Sequence, residues 1–321
     1  MTPPGALETR RALAAAWIAS VHDDLTALFE RLDGRATFRE DTWQRSGGGG
    51  GWSRVLVDGA TFEKAGINRS TVLGVLPPAA AARLGGTGAT EGATHFFATG
   101  VSLVVHPWSP RVPTVHLNVR YFELTDAAGT LCDAWFGGGT DLTPTYPHHD
   151  DVRHFHRALK TICDTHHPTF WDRFKPWCDE YFRNTHREHE ARGCGGIFFD
   201  HLRPGADASG LDLDAITAFV DAVGRSLHTA YAPIVERRRA EGSTDEERAF
   251  QLYRRGRYVE FNLVHDRGTI FGLQTDARIE SVLMSLPPLA AWLYAPTWPE
   301  GSFQAELQQM LAPRDWLAGS P

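Results

Sequence analysis

Cysteine is scarce in this chain of 321 residues: four occur, at positions 132, 163, 178 and 194, and none form a CxxC pair. That excludes a disulfide-built scaffold, a zinc knuckle and a redox dithiol, and it suits a reducing, cytoplasmic setting. Long apolar runs are also missing. Val101 to Val105 is typical of the longest, far short of the ~20 residues that span a bilayer, so no integral membrane segment is expected. Basic residues do not dominate. Lys and Arg number 32 against 39 Asp and Glu, a formal net charge of −7. This balance argues against broad nucleic-acid binding but leaves room for a local basic pocket. A dinucleotide fingerprint, a P-loop, a GxSxG elbow and an HExxH pair are all absent.

What is present reads as a folded enzyme-sized chain. Leu13, Trp17, Val21, Leu25, Leu28 and Leu32 recur at helical spacing and continue through His22, Asp23 and Asp24. They predict an amphipathic helix over about 8–33 rather than a cleaved leader behind Arg10 and Arg11. Gly47 to Gly51 reads as a tight loop, since no GK[ST] follows. Arg54 to Val57 and Ala60 to Lys64 flank Asp58-Gly59, a hairpin signal. Residues 77–94 are rich in Pro, Ala and Gly and read as a surface connection.

Two strands carry chemistry. Gly100 to His106 alternates, with Ser102 and His106 on one face. Thr114 to Phe122 turns Val115, Leu117, Val119 and Tyr121 one way and His116, Asn118, Arg120 and Phe122 the other. Such a face is either wet or functional, and two consecutive polar faces favour function. Leu131 to Phe136 reads as a strand ending in a glycine turn, Gly137 to Gly139, which aims Asp141.

Asp150 to Arg192 reads as helical, in two segments, with Pro176 beginning a helix or kinking one. His186 falls on the packed face of that pattern. Eight of the 15 histidines lie between His148 and His189, but no paired ligand spacing occurs. Ile197 to Phe199 reads as a buried strand and Leu211 to Ala240 as a helix. Tyr258 to Val264 and Thr269 to Gln274 alternate and predict a hairpin around Asp266. Helices and hairpins mix irregularly, which gives an α+β fold rather than a doubly wound sheet. Several arginines around a sheet suit a polycarboxylate ligand.

The motifs FEKAGIN (62–68), TGVSLVVHP (99–107), PTVHLNVRYFE (113–123), FGGGTDLTPTYP (136–147), WCDEYF (177–182), FQLYRRGRYVEFNLVHDRGTIFGLQT (250–275) and ESVLMSLPP (280–288) run in colinear order. In these stretches the chain closely resembles the oxygen-dependent coproporphyrinogen III oxidases, over nearly its whole length. The resemblance implies a single domain over 1–321, with a large antiparallel sheet flanked on both sides by helices, and a homodimer formed through 258–274. It implies oxidative decarboxylation of two propionates of coproporphyrinogen III to vinyl groups. Dioxygen is then the co-substrate and no organic cofactor is needed.

Carried over residue by residue, the resemblance makes Arg120 and Arg278 carboxylate binders, with Ser102 and Asn118 as further polar contacts. His116 becomes a proton donor and Asp141 the partner of the pyrrole N–H groups. Arg192 and Asp266 are further candidates. Asp276 and Ala277 stand where the family usually has two glycines before Arg278. Pro176, Trp52 and Arg69 also depart from the usual pattern. His106, His116, His156 and His186 match positions assigned as divalent-metal ligands in bacterial members; a hydrogen-bonding histidine set is the alternative. The rival readings are a non-catalytic porphyrin or anion binder on the same fold and a histidine-ligated metal oxygenase or hydrolase.

Overall fold

The computed structural model describes residues 5–75, 92–205, 210–274 and 277–318. Chain order is α1 (Ala6–Asp33), β1 (Arg39–Gln44), β2 (Gly49–Val57), β3 (Phe62–Val75), β4 (His95–Pro107), β5 (Thr114–Thr125) and β6 (Leu131–Thr143). There follow α2 (His149–His166), α3 (Phe170–Tyr181), β7 (Arg183–Asn184), β8 (Glu190–Ala191) and β9 (Gly196–Leu202). The last third is helical: α4 (Leu213–Gly224), α5 (Leu227–Ala230), α6 (Ala232–Arg238), α7 (Asp245–Val264), α8 (Arg267–Gln274), α9 (Ile279–Leu283) and α10 (Phe303–Met310). Seven strands form one sheet in the order β1-β2-β3-β4-β5-β6-β9, every pair antiparallel.

Period-two alternation divides the sheet as the sequence predicts. Leu103, Val105, Val115, Leu117, Val119 and Tyr121 enter one core with Val21, Leu25 and Leu28 of α1 and Phe219, Val220 and Val223 of α4. The opposite face carries Ser102, His116, Asn118 and Arg120, with Ser102 beside Asn118 in register. Helix α3 wraps the β9 edge and touches both faces: Phe174 packs on Phe199, and Tyr181 stacks on Phe198.

Five expectations change. The predicted hairpin over 258–274 is two helices, α7 and α8. Phe250, Tyr253, Arg254, Arg257, Tyr258 and Phe261 are all buried, a helical stripe whose arginines look like surface positions in the sequence. A capping box closes the start of α7: Thr244 Oγ1 accepts from Glu247 N at 3.2 Å, and Glu247 Oε2 from Thr244 N at 3.0 Å. The glycines at 137–139 lie inside β6 and form no turn. Helicity stops at Tyr181, so His186 sits in a short 3-10 turn and is exposed. The predicted helix over 211–240 is three shorter ones. The glycine run also differs, because Gly49 to Gly51 belong to β2. Pro176 lies inside α3. The surface connection expected at 77–94 lies almost entirely outside the described residues.

Candidate active site

On the polar face, β4, β5 and β9 line an open cavity of about 460 Å³. Its floor is Asn68, Ser102, His116, Asn118 and Arg120. Tyr181, Phe182 and Phe198 form an aromatic wall, and Asp200, Asp266 and Arg267 stand at its sides.

The three β5 side chains are wired together. His116 Nδ1 lies 2.8 Å from Asp141 Oδ1. Asn118 Nδ2 lies 3.2 Å from His116 Nε2, and Arg120 Nη1 donates to Asn118 Oδ1 at 2.8 Å. Because Arg120 takes the Asn118 oxygen, the amide nitrogen faces His116. The neutral imidazole therefore carries its proton on Nδ1, toward Asp141, and offers its Nε2 lone pair. His116 donates a proton only after Nε2 has gained one.

Asp141 is not in the cavity wall. It is 1% exposed and accepts from Arg192 Nη2 through both oxygens, at 2.8 and 2.7 Å. Arg192 is itself buried, donates to Asn262 at 3.2 Å, and lies over the rings of Phe182, Tyr258 and Phe261. Burial alone would push the Asp141 carboxyl up. The Arg192 charge and the His116 hydrogen bond outweigh it and hold the group below the usual carboxylate range.

Gly137 has a clear use. The Arg120 guanidinium lies flat over it, and a Cβ there would come within 2.6 Å of Arg120 Cζ. The missing side chain at Gly137 thus makes room for a side chain of the protein itself.

Asp266 closes the turn between α7 and α8: its Oδ2 accepts from Thr269 N at 2.7 Å and its Oδ1 from Tyr181 OH at 3.1 Å. Arg278 does not line the cavity. It precedes α9 and pairs with Asp41, with Glu280 at 3.6 Å. Ser281 of α9 reaches the cavity floor through Ser53, which donates to Asn68. Ala277 is half-buried beside Arg278, and Asp276 lies outside the described residues.

The four histidines do not meet at one point. His106 is buried, donates through Nε2 to Ser285 O at 2.9 Å and packs edge-on against Tyr258. His156 donates through Nε2 to Cys194 O at 3.0 Å between Trp171 and Trp316. His186 stacks on His265 and reaches Glu260. Among the described residues no three His, Cys, Asp or Glu side chains are grouped to hold a metal. These residues do not fit a shared ion, whereas their hydrogen bonds fit packing and orientation.

Sequence reasoning did not single out Arg267, Asp200 or Asn68. Arg267 stands beside the candidate Asp266 in the quoted motif. Asp200 lies within β9, two residues after Phe198, and period-two alternation from Phe198 is the signal that places it on the cavity face.

The family model for coproporphyrinogen III oxidase matches residues 14–316. Relatives named oxygen-dependent coproporphyrinogen-III oxidase include one from Parasynechococcus marenigrum (strain WH8102), 49% identical over 97% of this chain and 88% of that protein. One from Synechococcus sp. (strain CC9605) is 49% identical over 96% and 88%. A chloroplastic one from Glycine max is 49% identical over 94% of this chain and 78% of its own. Arginine and histidine on a sheet under an aromatic wall have the chemistry to suit an enzyme acting on an acidic, ring-bearing small molecule. The chain belongs to the coproporphyrinogen III oxidase family.

Proposed function

We propose that this chain is an oxygen-dependent oxidoreductase that converts two propionates of coproporphyrinogen III to vinyl groups, giving protoporphyrinogen IX in haem biosynthesis. Each half-reaction takes one propionate, one dioxygen and one proton. It releases one vinyl group, one carbon dioxide and one hydrogen peroxide, so electrons and charge balance without an organic cofactor. The observation that carries the reading is the row His116-Asn118-Arg120, held in one hydrogen-bonded line at the floor of an aromatic cavity.

Arg120 and Arg267 supply positive charge for propionates, and guanidinium geometry suits carboxylates. Tyr181, Phe182 and Phe198 give pyrrole rings an apolar surface. Ser102 and Asn68 add polar contacts. His116 moves a proton at Nε2, and Asp141 fixes its ring through Nδ1. Arg192 keeps Asp141 ionised inside the protein. Arg278 serves propionates at the α9 edge of the site once it leaves Asp41.

We also propose a homodimer. Leu263, Val264, Leu273, Ile279, Leu289, Trp292, Leu293 and Tyr294 are all exposed, an apolar surface drawn from 263–294 that suits a second copy. No helix among the described residues is long and apolar enough to cross a membrane. The cytoplasm is the proposed location.

The test is aerobic incubation of metal-stripped protein with coproporphyrinogen III, with product analysis and sedimentation of the same sample. Protoporphyrinogen IX from a dimer is the expected result. Absence of product under air with and without added divalent metal refutes the activity. Product only on adding metal back overturns the metal-free reading, and a monomer at micromolar concentration refutes the dimer.

A further inference from the structure

We propose that Phe122 and Ala98 form an apolar subsite that holds the vinyl-bearing pyrrole after the first decarboxylation, so that the half-converted tetrapyrrole stays bound for the second. The inference rests on coproporphyrinogen III being the substrate of this cavity.

One centre must serve both propionates, because the cavity is lined by one His116 and one Arg120. The first reaction replaces a carboxylate with an uncharged vinyl group. The macrocycle must then turn to bring its second propionate to the same place. At that moment it has lost one of the charges that an arginine can bind, and it carries a new apolar edge that gains from leaving water.

The floor of the cavity changes character at the place this requires. Alternation puts His116, Asn118, Arg120 and Phe122 in file along β5. Their partners in register on β4 are Ser102 beside Asn118, Gly100 beside Arg120 and Ala98 beside Phe122. Polar side chains therefore end at Arg120, and Phe122 and Ala98 make the apolar end of the floor. Arg120 does not serve that end: Nη1 donates to Asn118 at 2.8 Å, and Nη2 lies 2.9 Å from Asp200 Oδ1. Two further arginines come near, Arg45 over Phe96 and Arg203 over Trp135, but neither lines the cavity, and Arg203 is paired with Asp133. A carboxylate pressed against Phe122 would lose water with no cation in return, whereas a vinyl group has nothing to lose.

Phe122 is also held in place. It stacks on Trp135, its direct partner in register on β6, with ring centroids 4.5 Å apart and planes 24° apart. On the other side Phe96 lies near-parallel at 6.1 Å. Trp135 stacks in turn on His201 of β9 at 5.0 Å. The row of rings spans β4, β5, β6 and β9, with Trp135 buried and Phe122 half-buried at the cavity. A ring fixed in this way has little freedom to lose when a ligand packs on it. The wall of Tyr181, Phe182 and Phe198 covers the faces of the macrocycle, and Phe122 receives its vinyl-bearing edge.

The experiment gives excess coproporphyrinogen III under air to full-length wild type, Phe122→Ala, Phe122→Leu and Ala98→Asn, each checked for folding by its urea midpoint. Released tetrapyrroles are separated by their number of carboxylates. The readout is the ratio of free monovinyl intermediate to divinyl product at equal substrate consumption, which does not depend on the overall rate. Wild type is expected to release mainly the divinyl product. Phe122→Ala is expected to raise the ratio about tenfold, the worth of two buried carbons expressed in the rate of escape. Phe122→Leu, which keeps an apolar side chain, is expected to stay within about threefold of wild type. A folded Phe122→Ala with a ratio within about threefold of wild type overturns the proposal, as does a Phe122→Leu ratio as high as that of Phe122→Ala. If Phe122→Ala fails to fold, Ala98→Asn decides: a rise of more than about threefold supports the subsite, and a smaller one overturns it. Wild type that consumes no coproporphyrinogen III refutes the activity itself and the inference with it, a failure distinct from an unchanged ratio in active variants.

Discussion

Replacing Asp141 with Asn removes one negative charge from a place that water does not reach. Arg192 is 2% exposed and Asp141 1%, so the guanidinium loses its counter-charge with no solvent to replace it. The amide also brings N–H donors against Arg192 or His116, which are donors already. Breaking a buried pair on one side costs about 3–5 kcal/mol. Against a total stability of roughly 5–15 kcal/mol this is a large share. With a slope near 3 kcal/mol per molar urea, the midpoint falls by about 1–1.7 M. Turnover falls as well, because the imidazole loses the carboxylate that fixes its Nδ1 proton. The companion is the double variant Asp141→Asn with Arg192→Met. Removing both charges is expected to recover most of the stability, while turnover stays down about 100-fold. Equilibrium unfolding in urea and steady-state kinetics at one pH decide it. A wild-type midpoint for Asp141→Asn refutes the energetic argument. Full activity in the double variant would show that Asp141 serves only to neutralise Arg192.

His156 is held neutral in the fold, its pKa driven down to about 3 by burial and then by the charge of Lys175. The unfolded chain therefore binds the extra proton. The stability is intact above pH 6.5 and is lost as pH falls from there toward 3. At pH 5 the loss is about 2 kcal/mol. Unfolding in urea at pH 7 and pH 5 should show wild type losing about that much more than His156→Gln; equal losses refute it. Arg278→Ala is expected to raise KM at least about tenfold with little change in midpoint, since its pair with Asp41 is solvent-exposed. Asp41→Ala, which frees Arg278, should not raise KM. A wild-type KM for Arg278→Ala removes that residue from the site.

The central strands and their working face follow from the sequence alone. Alternation has only two faces to choose between, so His116, Asn118 and Arg120 had to stand together once β5 formed. The N-terminal helix was equally legible, because its apolar residues repeat every three to four positions through charged neighbours. The same logic failed at 258–274. That segment begins inside α7, whose buried side just before it includes Arg254, Arg255 and Arg257, paired with Glu190, Glu63 and Glu260 from elsewhere or along the helix. A charged residue counts as exposed in any local reading, and for Arg254 and Arg255 a carboxylate distant in the chain makes burial tolerable.

The roles of the carboxylates were likewise decided by tertiary structure. Asp141 looked like a ligand group in sequence, but Arg192, 51 positions later, occupies it from behind. Asp200 shares the cavity face with Phe198 by period-two alternation, but only the pairing of β9 on the far side of β6 brings it to 2.9 Å from Arg120 of β5. Composition and periodicity fix which residues can share an element. Which charge neutralises which depends on contacts between elements far apart in the chain, and those contacts exist only after the sheet has closed its order and the helices have covered it.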